Sequence, residues 1–359
     1  RRPAHPLGWG SVSTDNPSST STPPPFGPGQ HLLSVNQLDR ASLGALLDLA
    51  EALRPVGRGT RVCRVLEGAN LGSLFFEPST RTRLSFESAF HRLGGSVVST
   101  TGFTFSSMAK GESIHDTARV VSGYSDALVV RHPDTGSVAR FAQASVVPVI
   151  NAGDGSGEHP SQSLLDVFTM RAELAARGKS IDGATIAVLG DLRYGRTVHS
   201  LLAILGLFEN VSFRVFGPPA LALPAEFFDL VHAGGNAIVE CDSVQEAIAP
   251  ADVIYCTRVQ KERLSEEDEQ RVHLTGDLLN RAILDEAARP EAIIMHPLPR
   301  DSRHNSFDLS PDVDDWPGLA IFHQTDNGLL VRMAIFSIAL GVTDRVLDDL
   351  RPAGWLSTK

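Results

Sequence analysis

The stretch "FFEPSTRTR", residues 75–83, sets five hydroxyl or guanidinium side chains in a row just after an apolar run. Leu71 to Phe76 reads as a buried strand, and Pro78 breaks it. From Ser79 apolar residues recur at helical spacing (Phe86, Ala89, Phe90, Leu93) until Gly94-Gly95 stops the pattern. Ser79, Thr80, Arg81 and Thr82 therefore fall at a helix N-terminus. Free backbone N–H groups and the positive dipole end favour an anion there, and Arg81 with the hydroxyls adds charge-assisted donors suited to a phosphate. Taken alone, the stretch reads equally well as a Ser/Thr cap with solvated arginines.

Ligands of open α/β sheets bind beyond the carboxyl ends of the strands, so polar clusters in that position carry the most weight. Arg131 and His132 follow "ALVV"; "AGDGSGEHPSQSLLD" follows "VVPVIN"; "TRVQKER" follows "VIYC"; "HPLPR" follows "AIIM". One such Arg is ordinary surface, whereas this many at strand ends predicts a cleft. His159 precedes Pro160, which suits the first helical position, and Gln162 lies close behind it, so imidazole and amide can share that cleft. A lone His at a helix start is more often a cap or packing residue, and it is the neighbouring clusters that favour function. Gly190 to Thr197 nearly fits a P-loop, but Arg196 stands where the lysine would be. Its planar fork matches a carboxylate or phosphate bidentately, and no Mg-binding carboxylate stands out at a following strand end, which argues against nucleotide hydrolysis. "SSMAKGES" carries Ser106 and Lys110 in a small-residue stretch able to close over an anion. By itself it reads as a loop with a surface lysine.

The elements that must position these groups alternate along the chain. Strands are expected near 71–76, 126–130, 147–150, 184–189, 211–215, 252–256 and 292–295, with amphipathic helices between most of them, which implies parallel sheets flanked by helices. A long helix from Ser161 to about Arg177 and a final helix from about Asn327 to Leu340 complete the pattern. The expected fold is α/β: two doubly wound parallel-sheet domains joined by long helices, with the C-terminal helix packing back on the first. The predicted division is 31–160, completed by 325–350, and 161–324. Residues 1–30, with "STDNPSSTSTPPPFGPGQ", are too poor in apolar residues to order themselves and read as a disordered arm.

The 359 residues, 42% of them hydrophobic, suffice for two ordinary domains. A formal net charge of −10 argues against a general nucleic-acid binder and obliges any anionic substrate to be captured by local arginines and lysines. The three cysteines, Cys63, Cys241 and Cys256, lack metal-ligand spacing and fit a reducing cytoplasm. No apolar run approaches a membrane span.

Together "FFEPSTRTRLSFE", "SSMAKGES", "VVRHP", "INAGDGSGEHPSQSLLD", "GDLRYGRTVHSL", "TRVQKER" and "HPLPR" resemble, in this order, the aspartate carbamoyltransferases, from about His31 to Leu350. "STRTR" and "HPxQ" mark transcarbamoylases in general, while "RVQKER" points to aspartate as acceptor; an ornithine enzyme would carry Cys at the place of Pro297. The resemblance assigns Ser79, Thr80, Arg81, Thr82, Arg131, His159 and Gln162 to carbamoyl phosphate. It assigns Arg196, Arg258 and Gln260 to the carboxylates of L-aspartate, and the backbone carbonyls of Pro297 and Leu298 to the neighbourhood of the reacting amine. Ser106 and Lys110 would reach in from a neighbouring subunit of a homotrimer. No metal and no cofactor is implied, and regulatory or other pyrimidine-pathway chains are candidate partners. One departure is visible: after "HPLPR" relatives continue with an acidic segment that helps set domain closure, whereas this chain reads "DSRHNSFDLS". The competing functions are a transcarbamoylase with another amino acceptor and an inactive scaffold homologue. Intact Arg81, Lys110 and His159 argue against the scaffold.

Overall fold

The structure is a computed structural model and describes residues 24–102, 110–258, 277–300 and 308–355. Two parallel sheets organise it. The first has strands β1 (Asn70–Phe75), β2 (Ser96–Thr101), β3 (Ala127–His132) and β4 (Val149–Asp154) in the order β2-β1-β3-β4. The second has β5 (Thr185–Leu189), β6 (Ser212–Phe216), β7 (Ala237–Glu240), β8 (Val253–Cys256) and β9 (Ile293–Met295) in the order β9-β8-β5-β6-β7. In each sheet the chain winds outward on one side of its first strand and then crosses to the other side. The crossing lies between β1 and β3 in the first sheet and between β5 and β8 in the second, and a doubly wound sheet opens a crevice at that point.

Helices α1 (Arg40–Ala52), α2 (Thr80–Arg92), α3 (Ile114–Ser122), α4 (Ser137–Ala144), α5 (Pro160–Ala175), α6 (Arg196–Leu205), α7 (Ala225–Ala233), α8 (Val244–Ile248), α9 (Arg281–Ala287) and α10 (Ile321–Ala339) surround the strands. Their starts follow capping chemistry. Asp39 accepts from the Ser42 N–H at 2.7 Å to open α1, and Pro160 supplies the first position of α5, where a missing N–H costs nothing. Gly94, at φ 92°, stops α2 in a conformation that other residues adopt only under strain. The strands of both sheets facing helices on each side are buried throughout, as β3 and β8 show, and this reads in the sequence as continuous apolar runs.

Two strands escape the apolar pattern. Both β2, "SVVSTT", and β7, "AIVE", lie at sheet edges with most side chains in solvent, so they lack the continuous run that marks a buried strand. The last helix starts at Ile321, earlier than its apolar repeat suggests, because its first turn carries a polar residue, Gln324, that faces inward. Of the residues assigned to the N-terminal arm, 1–23 lie outside the described residues. Residues 24–30 are packed instead: Phe26 is buried, its N–H donates to the Gln37 carbonyl at 3.1 Å, and the Gly29 N–H donates to the Ala339 carbonyl at 2.8 Å.

The C-terminal helix α10 returns to pack against α5, α2 and α1. Phe336 sits edge-on to Phe90 and Phe86, with ring centroids 5.0 Å and 5.9 Å apart, and is fully buried. Replacing Phe336 by Ala is expected to destabilise the protein by about 3–5 kcal/mol through lost burial and an unfilled cavity. Urea denaturation measures it; a loss under about 1 kcal/mol would show that the last helix is not integral to the first core.

Candidate active site

The two crossing points face one another, and the segments leaving β1, β3, β5, β8 and β9 meet in a cleft of about 450 Å³. Ser79 to Thr82 line it from the start of α2. The Ser79 side chain makes no capping bond to that helix, so the ordinary cap reading fails and the hydroxyl is left for another partner. Arg131 lines the same side, and its neighbour His132 does not, because successive strand residues point to opposite faces. His132 instead packs against Phe76, ring centroids 5.5 Å apart, and accepts the Asp134 N–H at 3.0 Å. His159 and Gln162 enter from the start of α5. The second sheet contributes Arg196 and Thr197 from α6, Thr257 and Arg258 after β8, and Pro297 and Leu298 after β9.

Five arginines (Arg81, Arg131, Arg196, Arg258, Arg332) and one carboxylate, Glu77, line the cleft among the described residues. The charge of the site is thus opposite to that of the whole chain. Glu77 meets Arg131 at 2.7 Å and lies 4.0 Å from Arg196, so a single carboxylate links the first sheet to the second. Arg196 also donates to the Gly155 carbonyl in the loop after β4, a second tie across the cleft. The crowding of positive charge is felt by the ionisable groups. Burial holds the Arg81 guanidinium below its usual range, and the charge of Arg258 pushes in the same direction. An anion between those two would relieve both.

His159 is buried, and its Nδ1 has no hydrogen-bond partner among the described residues. Burial, followed by the charges of Arg131, Arg196 and Arg332, holds its pKa well below the ordinary 6.5. The imidazole is therefore neutral at physiological pH, a hydrogen-bonding group rather than a cation. His296, though named in the cleft motif, has both ring nitrogens committed. Its Nδ1 accepts the Leu298 N–H at 2.8 Å and its Nε2 pairs with Asp308 Oδ2 at 2.5 Å, which puts the proton on Nε2. This ring shapes the turn that carries the Pro297 and Leu298 carbonyls, and Leu298 sits there at φ 55°.

Of the other residues expected from sequence, Lys110 is exposed and does not line the cleft of its own chain. Ser106 and Gln260 lie outside the described residues, as does most of the departing loop, residues 301–307. Motif reasoning missed Glu77, Gln324 and Arg332. Glu77 is inside "FFEPSTRTR" but is overshadowed by its cationic neighbours. Arg332 stands alone in "GLLVRMAIF", and a single charge in an apolar helical run is a signal worth following. It is buried against Phe86, its guanidinium 4.7 Å from the ring centroid, and donates to Ser85 Oγ at 2.7 Å.

Residues 30–172 match the family model of the aspartate/ornithine carbamoyltransferase carbamoyl-P binding domain, and residues 182–339 match that of the Asp/Orn binding domain. The aspartate carbamoyltransferase catalytic subunit of Saccharophagus degradans is 50% identical over 331 residues, covering 92% of this chain and 98% of the relative. That of Dichelobacter nodosus is 52% identical over 314 residues, covering 88% of this chain and 90% of the relative. Among solved structures, Trypanosoma cruzi aspartate transcarbamoylase in complex with carbamoyl phosphate and aspartate superposes with a TM-score of 0.78 at 38% identity, covering 88% of this chain and 99% of that one. The catalytic subunit of M. jannaschii aspartate transcarbamoylase gives 0.75 at 42% identity, covering 86% and 96%.

The neutral state of His159 can be checked directly. Its ring resonances are expected not to titrate through the ordinary range around pH 6.5. The folded chain keeps this ring unprotonated and the unfolded chain does not. His159 therefore contributes no pH-dependent loss above pH 6.5, and it lowers stability progressively below that value. A His159 that titrates near 6.5 would contradict the burial described here.

Proposed function

We infer that this chain, which belongs to the aspartate/ornithine carbamoyltransferase family, transfers the carbamoyl group of carbamoyl phosphate to the amine of L-aspartate, giving N-carbamoyl-L-aspartate and phosphate, a step of pyrimidine biosynthesis. The observation that carries the reading is the pairing of two anion-binding surfaces across one cleft. The start of α2 offers N–H groups, hydroxyls and Arg81 to a phosphate, while Arg196 and Arg258 stand opposite with two forks for two carboxylates.

The chemistry follows from what those substrates require. The deprotonated amine of aspartate attacks the carbamoyl carbon, negative charge builds on the former carbonyl oxygen, and the tetrahedral intermediate collapses with departure of phosphate. Phosphate can take the proton released by the amine. Thr82, Arg131 and neutral His159 act as fixed donors to the developing oxyanion, and removing one such donor typically costs about two to three powers of ten in rate. The carbonyls of Pro297 and Leu298 face the reacting amine. Holding two anions side by side is the main task, and the guanidiniums perform it.

The division of labour we assign is residues 31–160 with 325–350 for carbamoyl phosphate and 161–324 for aspartate. The chain is assigned to the cytoplasm on the strength of three buried, unpaired cysteines. Phosphate release with a panel of amino acceptors tests the reading: aspartate is expected to be carbamoylated without added metal or ATP, and ornithine is not. Within that assay, Arg258→Ala should raise the KM for aspartate at least about tenfold while leaving carbamoyl phosphate binding nearly intact. Equal damage to both substrates would put Arg258 in the wrong subsite.

The active unit is a homotrimer in which Lys110, and Ser106 with it, complete a neighbour's site. The exposure of Lys110 away from its own cleft supports this, as does Arg81, which lines both the cleft and an adjoining cavity of about 780 Å³ that also holds Arg54, Arg58 and Arg92. Arg81→Ala and Lys110→Ala trimers should each be nearly inactive. In every mixed trimer one interface pairs an intact Arg81 with an intact Lys110, so random 1:1 reassembly should restore about one site in four by the closure of cyclic symmetry. Refolding the variants together and apart decides it: no recovery in confirmed mixed trimers would mean that one chain supplies both residues.

A further inference from the structure

Asp166 lies one turn beyond Gln162 on α5, fully buried where that helix meets β8 and α10. Its Oδ1 accepts from Gln162 Nε2 at 2.9 Å and from Gln324 Nε2 at 2.7 Å, and its Oδ2 accepts from Tyr255 Oη at 2.7 Å. An ionised carboxylate can only accept, so each glutamine must turn its NH2 toward Asp166 and its carbonyl oxygen away. For Gln324 the consequence is visible: its Oε1 accepts the His296 N–H at 2.9 Å, and His296 in turn holds the Leu298 N–H. For Gln162, which lines the cleft, the oxygen is the atom left to meet a ligand.

We propose that Asp166 is a positioning residue that fixes the polarity of both amides, so that Gln162 offers an acceptor to the carbamoyl NH2 and the enzyme selects carbamoyl phosphate over acyl phosphates of the same shape without N–H groups. The proposal rests on the reading of the cleft given above. A neutral amide at position 166 could present its own NH2 to one glutamine, which would then turn over and offer a donor where the substrate also has donors. Two N–H groups facing each other in a buried site is a stronger penalty than a missing bond.

Burial raises the Asp166 pKa to about 6, against the opposing hydrogen bonds of Tyr255, Gln324 and Gln162 and the attraction of Arg332. Tyr255 from β8 and Arg332 from α10 are the titratable or charged groups that act on it; the two glutamines are neutral. Above that pH the carboxylate only accepts. As pH falls through it, Asp166 gains a proton and becomes a donor, and the constraint on the amides is lost.

Asp166→Asn tests the proposal in the intact enzyme, with carbamoyl phosphate, acetyl phosphate (a methyl in place of the NH2) and inorganic phosphate as probes. The kcat/KM for carbamoyl phosphate is expected to fall at least about tenfold, while inhibition constants for acetyl phosphate and inorganic phosphate stay within about twofold. Equal weakening of all three, or no weakening, would overturn it. Wild-type enzyme supplies a second arm should the variant fail to fold. Its preference for carbamoyl over acetyl phosphate is expected to decline between about pH 7.5 and about pH 5.5, and a flat preference over that range would also overturn the proposal. Wild-type enzyme that turns over no carbamoyl phosphate at all would instead remove the underlying reading, and the proposal with it.

Discussion

Like charges held close together are the constraint around which this molecule is built. Guanidiniums from both sheets and from the last helix converge on one cleft, and each raises the cost of burying the others. Burial first, and neighbouring positive charge second, push Arg81 and His159 downward. A ligand with a phosphate at one end and carboxylates at the other offsets the repulsion between these guanidiniums, and that offset contributes to its binding. Glu77 supplies a partial substitute, and its position between Arg131 and Arg196 lets one carboxylate bridge groups that two different sheets deliver.

Topology decides where that charge can collect. A parallel sheet sends every strand in the same direction, so the loops after the strands share one edge, and the crossing between outward and return winding leaves a gap there. Two such sheets with their gaps opposed give a cleft in which each wall is anchored in its own core. The wall segments are held by close backbone approaches. Gly190, at φ 114°, lets the end of β5 lie directly on the Thr257 carbonyl, where a side chain would collide with backbone. Helix α5 carries His159 and Gln162 at its start, and α10 carries Gln324 and Arg332, so the same two helices that close the first core also floor the site.

Much of this was legible in the sequence because the information is local. Pro78 followed by Ser79-Thr80-Arg81-Thr82 announces a strand end and a helix start within a few residues, and the apolar runs at β3, β5 and β8 announce buried parallel strands. What escaped is what depends on partners distant in sequence. The edges β2 and β7 have only one strand neighbour and a solvated face, so their side chains need not be apolar. Gln324 looks like an ordinary polar residue at a helix start until Asp166, 158 positions earlier, is brought beside it. Phe26 belongs to a stretch whose composition argues for disorder, yet one aromatic side chain finds a place in the core and carries the residues around it. Composition averages over a segment; burial is decided residue by residue.

The buried polar network beneath the cleft is a poor way to gain stability. Arg332 and Asp166 attract one another, yet burial lowers the arginine to about 10 and raises the aspartate to about 6, so for each of them desolvation outweighs the attraction of the other. Well-packed apolar residues in their place would cost the fold less. What apolar residues cannot do is give direction to an amide or hold a guanidinium at a set angle. Asp166 orders Gln162, Gln324 and Tyr255 from three separate elements, and Arg332 reaches Ser85 on α2 and Ser161 on α5. Helices α2, α5 and α10 also carry residues that line the cleft, and β8 leads directly into Thr257 and Arg258, which line it too. The network therefore ties the orientation of the walls to a set of bonds that only one arrangement of the backbone can satisfy, and it is this geometric definition that accounts for charge buried at a net cost.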